Sequence, residues 1–186
     1  MFSLQVDENL KLALPDFSRA EEMTALVLAN LDRLKPWMPW ATDEYSIEDC
    51  KGFIEGSLKA FSESGRFEAC IVEGDRIIGT IGFHNFDIAN RSAHIGYWIS
   101  KESEGKGIIT KCCRFLVDYL FSVMKLNRVQ INCNVENARS RAVPERLGFQ
   151  LEGIHRQVEF LNDRFGDWAV YAMLNEDWKP SESTGN

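Results

Sequence analysis

A turn with two glycines, Gly105-Lys106-Gly107, carries the chemistry that can be inferred most directly from this sequence. It follows an apolar, β-rich run at 97–99 and precedes a long helical pattern that begins Ile108-Ile109. Glycine brings no Cβ to such a junction, so a ligand can approach the backbone closely. The first amides of the following helix have no intrahelical acceptors and lie at the positive end of the helix dipole. The sequence therefore predicts a binding site for a phosphate or pyrophosphate group.

The nucleotide-binding motifs that use such a turn are incomplete in this chain. The turn lacks the Gly-Lys-Ser or Gly-Lys-Thr ending of a P-loop. Thr110 occupies the position where a dinucleotide fingerprint has its third glycine. A plain structural turn would also account for two glycines before a helix. The turn by itself therefore leaves the ligand open.

A second polar cluster consists of Asn137 and Ser140, which follow an apolar strand pattern ending at Asn134. Residues three apart on a helix point to the same side, so these two side chains can face one ligand. They can instead serve the helix itself, with Asn137 or Asn134 as the N-cap and Ser140 satisfying a backbone group. Pro144 in the same pattern predicts either a kink or a helix that begins late.

Strand and helix patterns alternate along the chain, and they must position these residues. Strand patterns cover residues 4–14, 67–73, 76–86, 92–100, 128–135, a run from 149, and 160–165 and 169–174 around a turn at 162–164. Helical patterns follow capping-box signatures at Ser18 and Ser46, ending near 34 and 63, and cover 107–124 and 138–147.

The order of these elements predicts a single α/β domain with a mixed sheet, in an α+β arrangement. Most neighbouring strands should be antiparallel, as in the hairpin around Gly74-Asp75. The helix at 107–124 should form a right-handed crossover between parallel strands at 92–100 and 128–135. We expect the domain to span residues 1–178 and a flexible tail to follow at 179–186.

Composition narrows the class of protein. The chain has 186 residues, of which 45% are hydrophobic and 26% charged, as expected for one globular domain. No apolar run reaches the roughly 20 residues of a membrane span, and residues 1–11 lack a signal-peptide layout. The five cysteines and three histidines show no metal-binding spacing, so we expect a reduced, cytoplasmic protein without a metal. A net charge of −7 argues against nucleic-acid binding.

Together, the glycine turn and the segment Asn134–Phe149 resemble motifs A and B of the GNAT superfamily of N-acetyltransferases, which bind acetyl-coenzyme A. The family's loop reads Arg/Gln-x-x-Gly-x-Gly/Ala, and here Glu102 replaces the usual Arg or Gln. Further motifs are similar to the RimJ/RimL branch, which acetylates protein N-termini, notably those of ribosomal proteins. They cover nearly the whole chain and are Ile95-Gly-Tyr-Trp-Ile99, Asn137-x-x-Ser140, Glu145-Arg-Leu-Gly-Phe149, Leu151-Glu-Gly153, Trp37-Met-Pro-Trp40 and Asp167-Trp-Ala-Val-Tyr171.

The resemblance implies a GNAT fold with a splayed cleft for acetyl-coenzyme A. It implies cofactor contacts at Trp98, Ile99, Gly105, Lys106, Gly107, Ile108, Ile109, Asn137 and Ser140. A β-bulge at 97–99 is expected to splay the strands and expose an amide that polarises the thioester carbonyl. Since Glu102 is not a phosphate ligand, backbone amides are expected to hold the pyrophosphate. Ser140 is expected to protonate the departing thiolate.

An amine can attack a thioester only when it is neutral, so a base must take its proton. Glu159 matches a strand glutamate proposed as the base in RimL-like enzymes, although a glutamate in a strand is usually solvated or paired, here with Arg156 or Arg164. Glu68 is the second candidate for the base. Trp37, Trp40 and Glu68 are the residues expected at the acceptor site.

The acceptor itself stays open at this level. The resemblance implies a protein N-terminal amine, such as that of a ribosomal protein, and a homodimer, since relatives are often dimers. A polyamine, an aminoglycoside or another small amine is the nearest alternative acceptor. A non-catalytic module that only binds coenzyme A is an alternative of a different class.

Overall fold

The computed structural model describes residues 2–180. The strands are β1 (Ser3–Gln5), β2 (Leu10–Ala13), β3 (Phe67–Glu73), β4 (Arg76–Asp87), β5 (Ser92–Ile99), β6 (Arg128–Asn134), β7 (Gln150–Leu161) and β8 (Arg164–Leu174). The α-helices are α1 (Ala20–Leu28), α2 (Leu31–Leu34), α3 (Ile47–Ser64), α4 (Ile108–Ser122) and α5 (Ala138–Leu147).

The eight strands form one mixed sheet in the order β1-β2-β3-β4-β5-β6-β8-β7. Every neighbouring pair is antiparallel except β5 and β6, which are parallel and are connected through α4. The predicted mixed α/β sheet with one parallel crossover is therefore confirmed.

Period-two alternation decides which face of the sheet is apolar. On β6, Val129, Ile131 and Cys133 are buried in the core that α4 covers. The polar residues between them, such as Asn132 and Asn134, point to the opposite face. The α4 side supplies Leu116 and Leu120, both fully buried, and each such side chain contributes about 2 kcal/mol to folding. Helices α1 and α3 pack on the opposite face of the sheet.

Two elements near the N-terminus differ from the predicted pattern. The expected strand at 4–14 is a hairpin of β1 and β2, because the Asp7 carboxylate accepts hydrogen bonds from the amides of Asn9 and Leu10, both at 2.9 Å, and turns the chain. The first helix is not capped by Ser18. The Asp16 carboxylate accepts from the Ser18 amide at 2.7 Å and begins a short 3₁₀ turn, so α1 starts only at Ala20.

The helix predicted to continue to residue 34 is also interrupted. The buried Asn30 side chain donates to the Leu26 carbonyl and accepts from the Lys101 amide, so it ties the end of α1 to the segment after β5. The second capping box is confirmed, since Ser46 and Asp49 bond each other's backbone amides at the start of α3.

The last hairpin is longer than predicted. Strand β7 is continuous from Gln150 to Leu161 and is followed by a turn at Asn162 and Asp163. Both turn residues have left-handed φ angles, +52° and +58°, which match the twist of a two-residue hairpin turn. Strand β7 is also the edge strand of the sheet beyond β8.

Strands β5 and β6 separate after a short parallel contact. They pair only from Ser92↔Arg128 to His94↔Gln130. The bulge expected at 97–99 is wrong, because β4 and β5 keep one register from Gly79↔Ile99 to the His84 position, and the shift lies beyond it. The strands diverge instead because β5 stays on β4 while β6 stays on β8 along its whole length.

The chain end packs on α4. Trp178 is buried, its indole donates to Asp118 at 2.6 Å, and the Arg114 guanidinium lies 5.1 Å from its ring centre. The predicted tail at 179–186 falls mostly outside the described residues, since 181–186 are not among them. None of the helices in the described part of the chain has the length and apolar character of a membrane span.

Candidate functional site

A cavity of about 970 Å³ lies where β5 and β6 separate. It is lined by the end of β5, the glycine turn, the first turn of α4, α5, and the segment that includes α2. The predicted cofactor residues that line it are Trp98, Ile99, Gly105, Gly107, Ile108, Ile109, Asn137 and Ser140. Lys106 lies in the same turn but is exposed and does not line the cavity. Of the predicted acceptor residues, Trp37 lines the cavity, whereas Trp40 and Glu68 do not.

The glycine turn has the geometry of an anion cradle. Gly105 and Gly107 have φ angles of +74° and +75°, a conformation that residues with a Cβ rarely adopt. No atom lies within 4 Å of where their Cβ atoms would be, so the space above the turn is open. Gly107 caps α4 without a side-chain hydrogen bond. The amide of Lys111 bonds the Gly107 carbonyl at 3.0 Å, which leaves the helix amides before it free for a ligand. The cradle therefore fits a phosphate or pyrophosphate.

Strand β5 presents a second row of backbone groups to the cavity. The Ser100 amide donates to the Ile78 carbonyl at 2.8 Å, so the even-numbered positions of β5 bond β4. In an antiparallel pair the bonding direction alternates with every residue. The amides of Tyr97 and Ile99 therefore point away from β4, into the gap where β6 has separated. An extended chain with amide groups can bond there.

Asn137 and Ser140 meet at the start of α5. The Asn137 side chain accepts from the Ser140 amide at 3.1 Å, so Asn137 is the N-cap of α5 and also a cavity residue. The Ser140 hydroxyl lies 3.2 Å from the Cys133 Sγ and 3.5 Å from the Tyr97 Oη. Tyr97 in turn donates to the Ser140 carbonyl at 2.9 Å. Pro144 lies inside the helix rather than at its first turn.

Burial keeps the groups around Ser140 protonated. It raises the pKa of the Tyr97 phenol well above its usual value. It also raises the pKa of the Cys133 thiol, and the hydrogen bond with Ser140 opposes this only in part. The Ser140 hydroxyl therefore lies between two neutral groups, and it donates to the Tyr97 oxygen, whose own proton goes to the Ser140 carbonyl.

Glu159 lies on β7 beside the far end of β6. Its Oε2 is 3.5 Å from the Asn134 Nδ2, and Gly166 opposite leaves room for both side chains. The strand is irregular just before it, where Gln157 has a φ of +53°. Arg164 pairs with Glu136 instead, and within residues 2–180 no ion pair of Glu159 is formed. The alternative in which Glu159 pairs with Arg156 or Arg164 is therefore not seen in the described structure.

Glu68 lies on the same face of the sheet as Glu159. It is on β3, two strands away from the gap between β5 and β6. A Cβ on Gly82 would meet both the Glu68 carboxylate and the Phe67 backbone carbonyl, and because the carbonyl cannot move aside, only glycine fits opposite Glu68. Burial raises the pKa of Glu68 to about 7, and the Nε of Arg66, 3.9 Å away, offsets this only in part. Gly82 faces Gly96 on β5, the strand that borders the gap, and the ring of His84 lies over Gly96, with its Cε1 3.2 Å from where a Cβ on Gly96 would be. Two strand spacings, about 10 Å, separate β3 from β5.

Aromatic rings flank the cavity on the side of α2. The ring of Trp40 is 42% exposed and lies 6.3 Å from that of Trp98 and 5.8 Å from that of Tyr45. Trp37 lines the cavity directly. Of the three predicted acceptor residues, Trp37 thus lines the cavity, Trp40 packs beside the lining residue Trp98, and Glu68 lies outside the lining. Across residues 2–180 no cluster of His, Cys, Asp or Glu is arranged to hold a metal ion.

The comparison with known protein families shows to which family this chain belongs. The family model described as "Acetyltransferase (GNAT) domain" matches residues 10–150. The chain belongs to the GNAT acetyltransferase family. Its enzyme class is that of the N-acetyltransferases, as predicted from the glycine turn and the segment after β6.

Individual relatives place this GNAT chain more closely. YdaF of Bacillus subtilis, which has the provisional name of a ribosomal N-acetyltransferase, is 38% identical over 96% of this chain and 98% of its own length. The ribosomal-protein-serine acetyltransferase of Escherichia coli is 30% identical over 92% of this chain and 96% of its own. The structure of RimL, a ribosomal L7/L12 α-N-protein acetyltransferase, in complex with coenzyme A superposes with a TM-score of 0.88 at 27% identity, covering 93% of this chain and 98% of that one. The predicted resemblance to the RimJ/RimL branch is confirmed.

Sequence reasoning missed several residues that lie in or next to the cavity. The Tyr97 hydroxyl and the Cys133 thiol both contact Ser140, and Arg33 lines the cavity from α2. Tyr97 and Arg33 lie far in sequence from the residues they contact, so no spacing rule finds them. Cys133 was visible as an apolar position of a strand, but its contact with Ser140 depends on how α5 folds back.

Proposed function

We propose that this GNAT protein transfers an acetyl group from acetyl-coenzyme A to the N-terminal α-amine of a protein, such as a ribosomal protein. The observation that carries the proposal is the cavity at the β5–β6 gap, which joins free helix amides to free strand amides. The free amides of the helix can bind a pyrophosphate, and the free amides of the strand can bond the amide groups of a pantetheine arm.

The residues proposed to hold the cofactor follow from that arrangement. Backbone groups from Gly105 to Ile109, Lys106 included, would bind the pyrophosphate. Trp98, Ile99, Asn137 and Ser140 line the stretch of cavity where the pantetheine and the thioester would lie. When bound, acetyl-coenzyme A supplies an acetyl group activated as a thioester. An amide of β5 in the gap is placed to hydrogen-bond the thioester carbonyl.

Two side chains are proposed to move protons. Ser140 donates a proton to the leaving sulfur, and the protonated Tyr97 and Cys133 around its hydroxyl support this role. Glu159 accepts the proton of the attacking amine, and its lack of an ion pair among the described residues leaves its carboxylate available. Glu68 is proposed as an acceptor-site group and is the second candidate for the base, since its pKa of about 7 suits proton exchange.

The acceptor is proposed from the relatives and from the walls of the cavity. The relatives named above act on ribosomal proteins, as their names state. Trp37 lines the cavity, and Trp40 lies beside Trp98, which also lines it, so the first residues of an acceptor chain can pack against aromatic rings there. The net charge of −7 suits a basic protein partner and does not suit nucleic acid.

The test is intact-mass analysis after incubation with acetyl-coenzyme A. N-terminal peptides of ribosomal proteins should each gain one acetyl group at the α-amine. Matched peptides with a blocked N-terminus and a free lysine should gain none. Acetylation of spermidine or an aminoglycoside in place of the peptides would contradict the protein acceptor. Tight binding of acetyl-coenzyme A without any transfer would contradict catalysis altogether.

The assembly and location of the protein are part of the same proposal. We expect a cytoplasmic homodimer whose catalytic domain spans residues 1–178, with a tail at 179–186. The exposed apolar side chains Ile154, Val158 and Phe160 on the edge strand β7 support self-association. A monomeric mass by sedimentation equilibrium would contradict the dimer.

A further inference from the structure

Three charged side chains meet at the edge of the cavity beside the glycine turn. Glu104 directly precedes Gly105, Arg33 comes from α2, and Arg139 comes from the first turn of α5. The Nη2 of Arg33 donates to both carboxylate oxygens of Glu104. The Nη1 of Arg139 lies 3.4 Å from the Oε2 of Glu104. A single carboxylate therefore holds two guanidinium groups from two different helices.

A carboxylate at this place is a poor neighbour for a pyrophosphate. Glu104 is the residue next to the cradle, so its charge would repel the anion that the cradle is built to hold. The pair is also shielded from solvent, since the side chains of Arg33 and Glu104 are only 29% and 31% exposed. Its attraction is therefore screened less than that of a surface ion pair.

Arg33 has donor capacity that Glu104 does not use. Its Nε is buried and has no hydrogen-bond partner in the described structure. A guanidinium binds a carboxylate and a phosphate through the same planar set of donors, so one anion can replace the other. The unsatisfied donor would gain a partner if an anion with more oxygens took the place of Glu104.

We infer that Glu104 stands in for a cofactor phosphate in the free protein, and that Arg33 and Arg139 pass from Glu104 to the pyrophosphate when the cofactor binds. This inference rests on the proposed use of acetyl-coenzyme A. It assigns the pyrophosphate rather than the 3′-phosphate, because Glu104 adjoins the free amides at the start of α4. The side-chain charges that the loop lacks at Glu102 then come from two distant helices.

Calorimetric titration with acetyl-coenzyme A tests this exchange. Glu104→Gln removes the competing charge, and we expect its Kd to be lower than that of the parent by about fivefold or more. Glu102→Gln is the matched control, because it removes the same charge from the same loop. Glu102 is 83% exposed and its partner Arg76 is 80% exposed. We expect its Kd to stay within about twofold of the parent value.

The arginines supply the second arm of the experiment. Arg33→Met and Arg139→Met should each weaken binding by about tenfold. Arg139 is 75% exposed, so its replacement does not depend on core packing. In the Arg33→Met background, Glu104→Gln should lower Kd by clearly less than it does in the parent, because only Arg139 is then left for Glu104 to release. Thermal melts of all variants check that each is folded.

Each result supports or overturns the exchange. An unchanged or raised Kd for Glu104→Gln would overturn it, and so would an equal gain in the Arg33→Met background, which would mean a plain charge effect. Dephospho-coenzyme A should show the same gain, whereas a gain seen only with the 3′-phosphate present would overturn the pyrophosphate assignment. Failure of the parent protein to bind acetyl-coenzyme A would overturn the proposed function as well. Failure of Glu104→Gln alone would overturn only the exchange.

Discussion

The Tyr97 hydroxyl donates a hydrogen bond to the Ser140 carbonyl at 2.9 Å and so joins β5 to the first turn of α5. These two elements form opposite walls of the cavity. The bond also holds the Ser140 hydroxyl within 3.5 Å of the Tyr97 oxygen. One contact thus fixes both the width of the cavity at this level and the direction in which the proposed acid points.

Tyr97→Phe should lower both stability and turnover. It removes the donor and leaves a part-buried carbonyl without its partner, which costs about 1 kcal/mol in the free energy of unfolding. Turnover should fall because Ser140 is no longer held in place, while the Kd for acetyl-coenzyme A changes little. Urea unfolding and steady-state kinetics measure the two effects.

Tyr119→Phe on α4 is the control, since its hydroxyl makes no hydrogen bond among the described residues. Equal effects of both substitutions would contradict the role of this bond.

Gly107→Trp should block the cofactor by filling its backbone cradle. The position has open space above it and a φ of +75°, so the new side chain would occupy the ligand's place. We expect the affinity for acetyl-coenzyme A to fall by at least about tenfold.

Gly65→Trp is the control for that substitution. Gly65 also has a left-handed φ, +69°, and open space, but it ends α3 away from the cavity. Both variants should lose about 1–2 kcal/mol of stability through backbone strain. Only Gly107→Trp should lose cofactor affinity, and unchanged calorimetry for that variant would remove the turn from the site.

Glu68 should make the protein less stable as pH rises. Its pKa is about 7 in the folded state, against about 4.3 in an unfolded chain. Between these values the folded state binds more protons, so stability falls as the pH increases through this window. The side chain is 19% exposed, and the full effect is at most about 4 kcal/mol. Glu68→Gln stays neutral and should lose this decline in urea unfolding measured at about pH 5 and pH 8. The same substitution at the exposed Glu55 should keep it.

Glu159→Gln should separate the two candidate bases. If Glu159 takes the proton of the amine, turnover at neutral pH should fall by about 100-fold or more, with near-normal binding of acetyl-coenzyme A. Glu68→Gln should act mainly on the KM of the acceptor. The measurement is kcat and KM over a range of pH for both variants.

A pH–rate profile of Glu159→Gln that matches that of the parent protein would exclude Glu159 as the base. Loss of the limb near pH 7 in Glu68→Gln would assign the base to Glu68.

Local chemistry explains which parts of the fold could be predicted. Helix α5 begins after Asn137 and ends before Gly148, and both signals lie in the residues themselves: an N-cap side chain and a glycine with a φ of +80°. The same logic failed near the N-terminus, where Asp7 and Asp16 looked like ordinary polar residues of a strand and a loop. Asp7 accepts from amides two and three residues later and Asp16 from the amide two residues later, so each turns the chain where the apolar pattern alone indicated none.

The segments of backbone that line the cavity could be predicted from the sequence, whereas most of the side-chain contacts around it could not. The glycine turn and α5 are contiguous segments, so the sequence alone predicted that both belong to one site, and both line the cavity. Arg33 and Glu104 are 71 positions apart, and Glu68 meets Gly82 only through the register of β3 and β4. The splay was attributed to a bulge in one strand. The strands diverge instead because β6 pairs with β8 along its whole length. Strand β8 lies more than 30 positions further along the chain, so no local pattern in β5 or β6 indicates this pairing.

The short contact between β5 and β6 also decides how the molecule can deform. Three residue pairs are the only ladder that joins strands β1–β5 to strands β6–β8 among the described residues. The sheet therefore consists of two plates, strands β1–β5 and strands β6–β8, joined along the short β5–β6 contact, which we call the seam. Bending along the seam breaks few hydrogen bonds. Because the seam runs into the cavity, the width of the cavity depends on these three residue pairs together with the hydrogen bond between Tyr97 and Ser140. A bulkier acyl group could be admitted by opening this seam while both plates keep their own ladders intact.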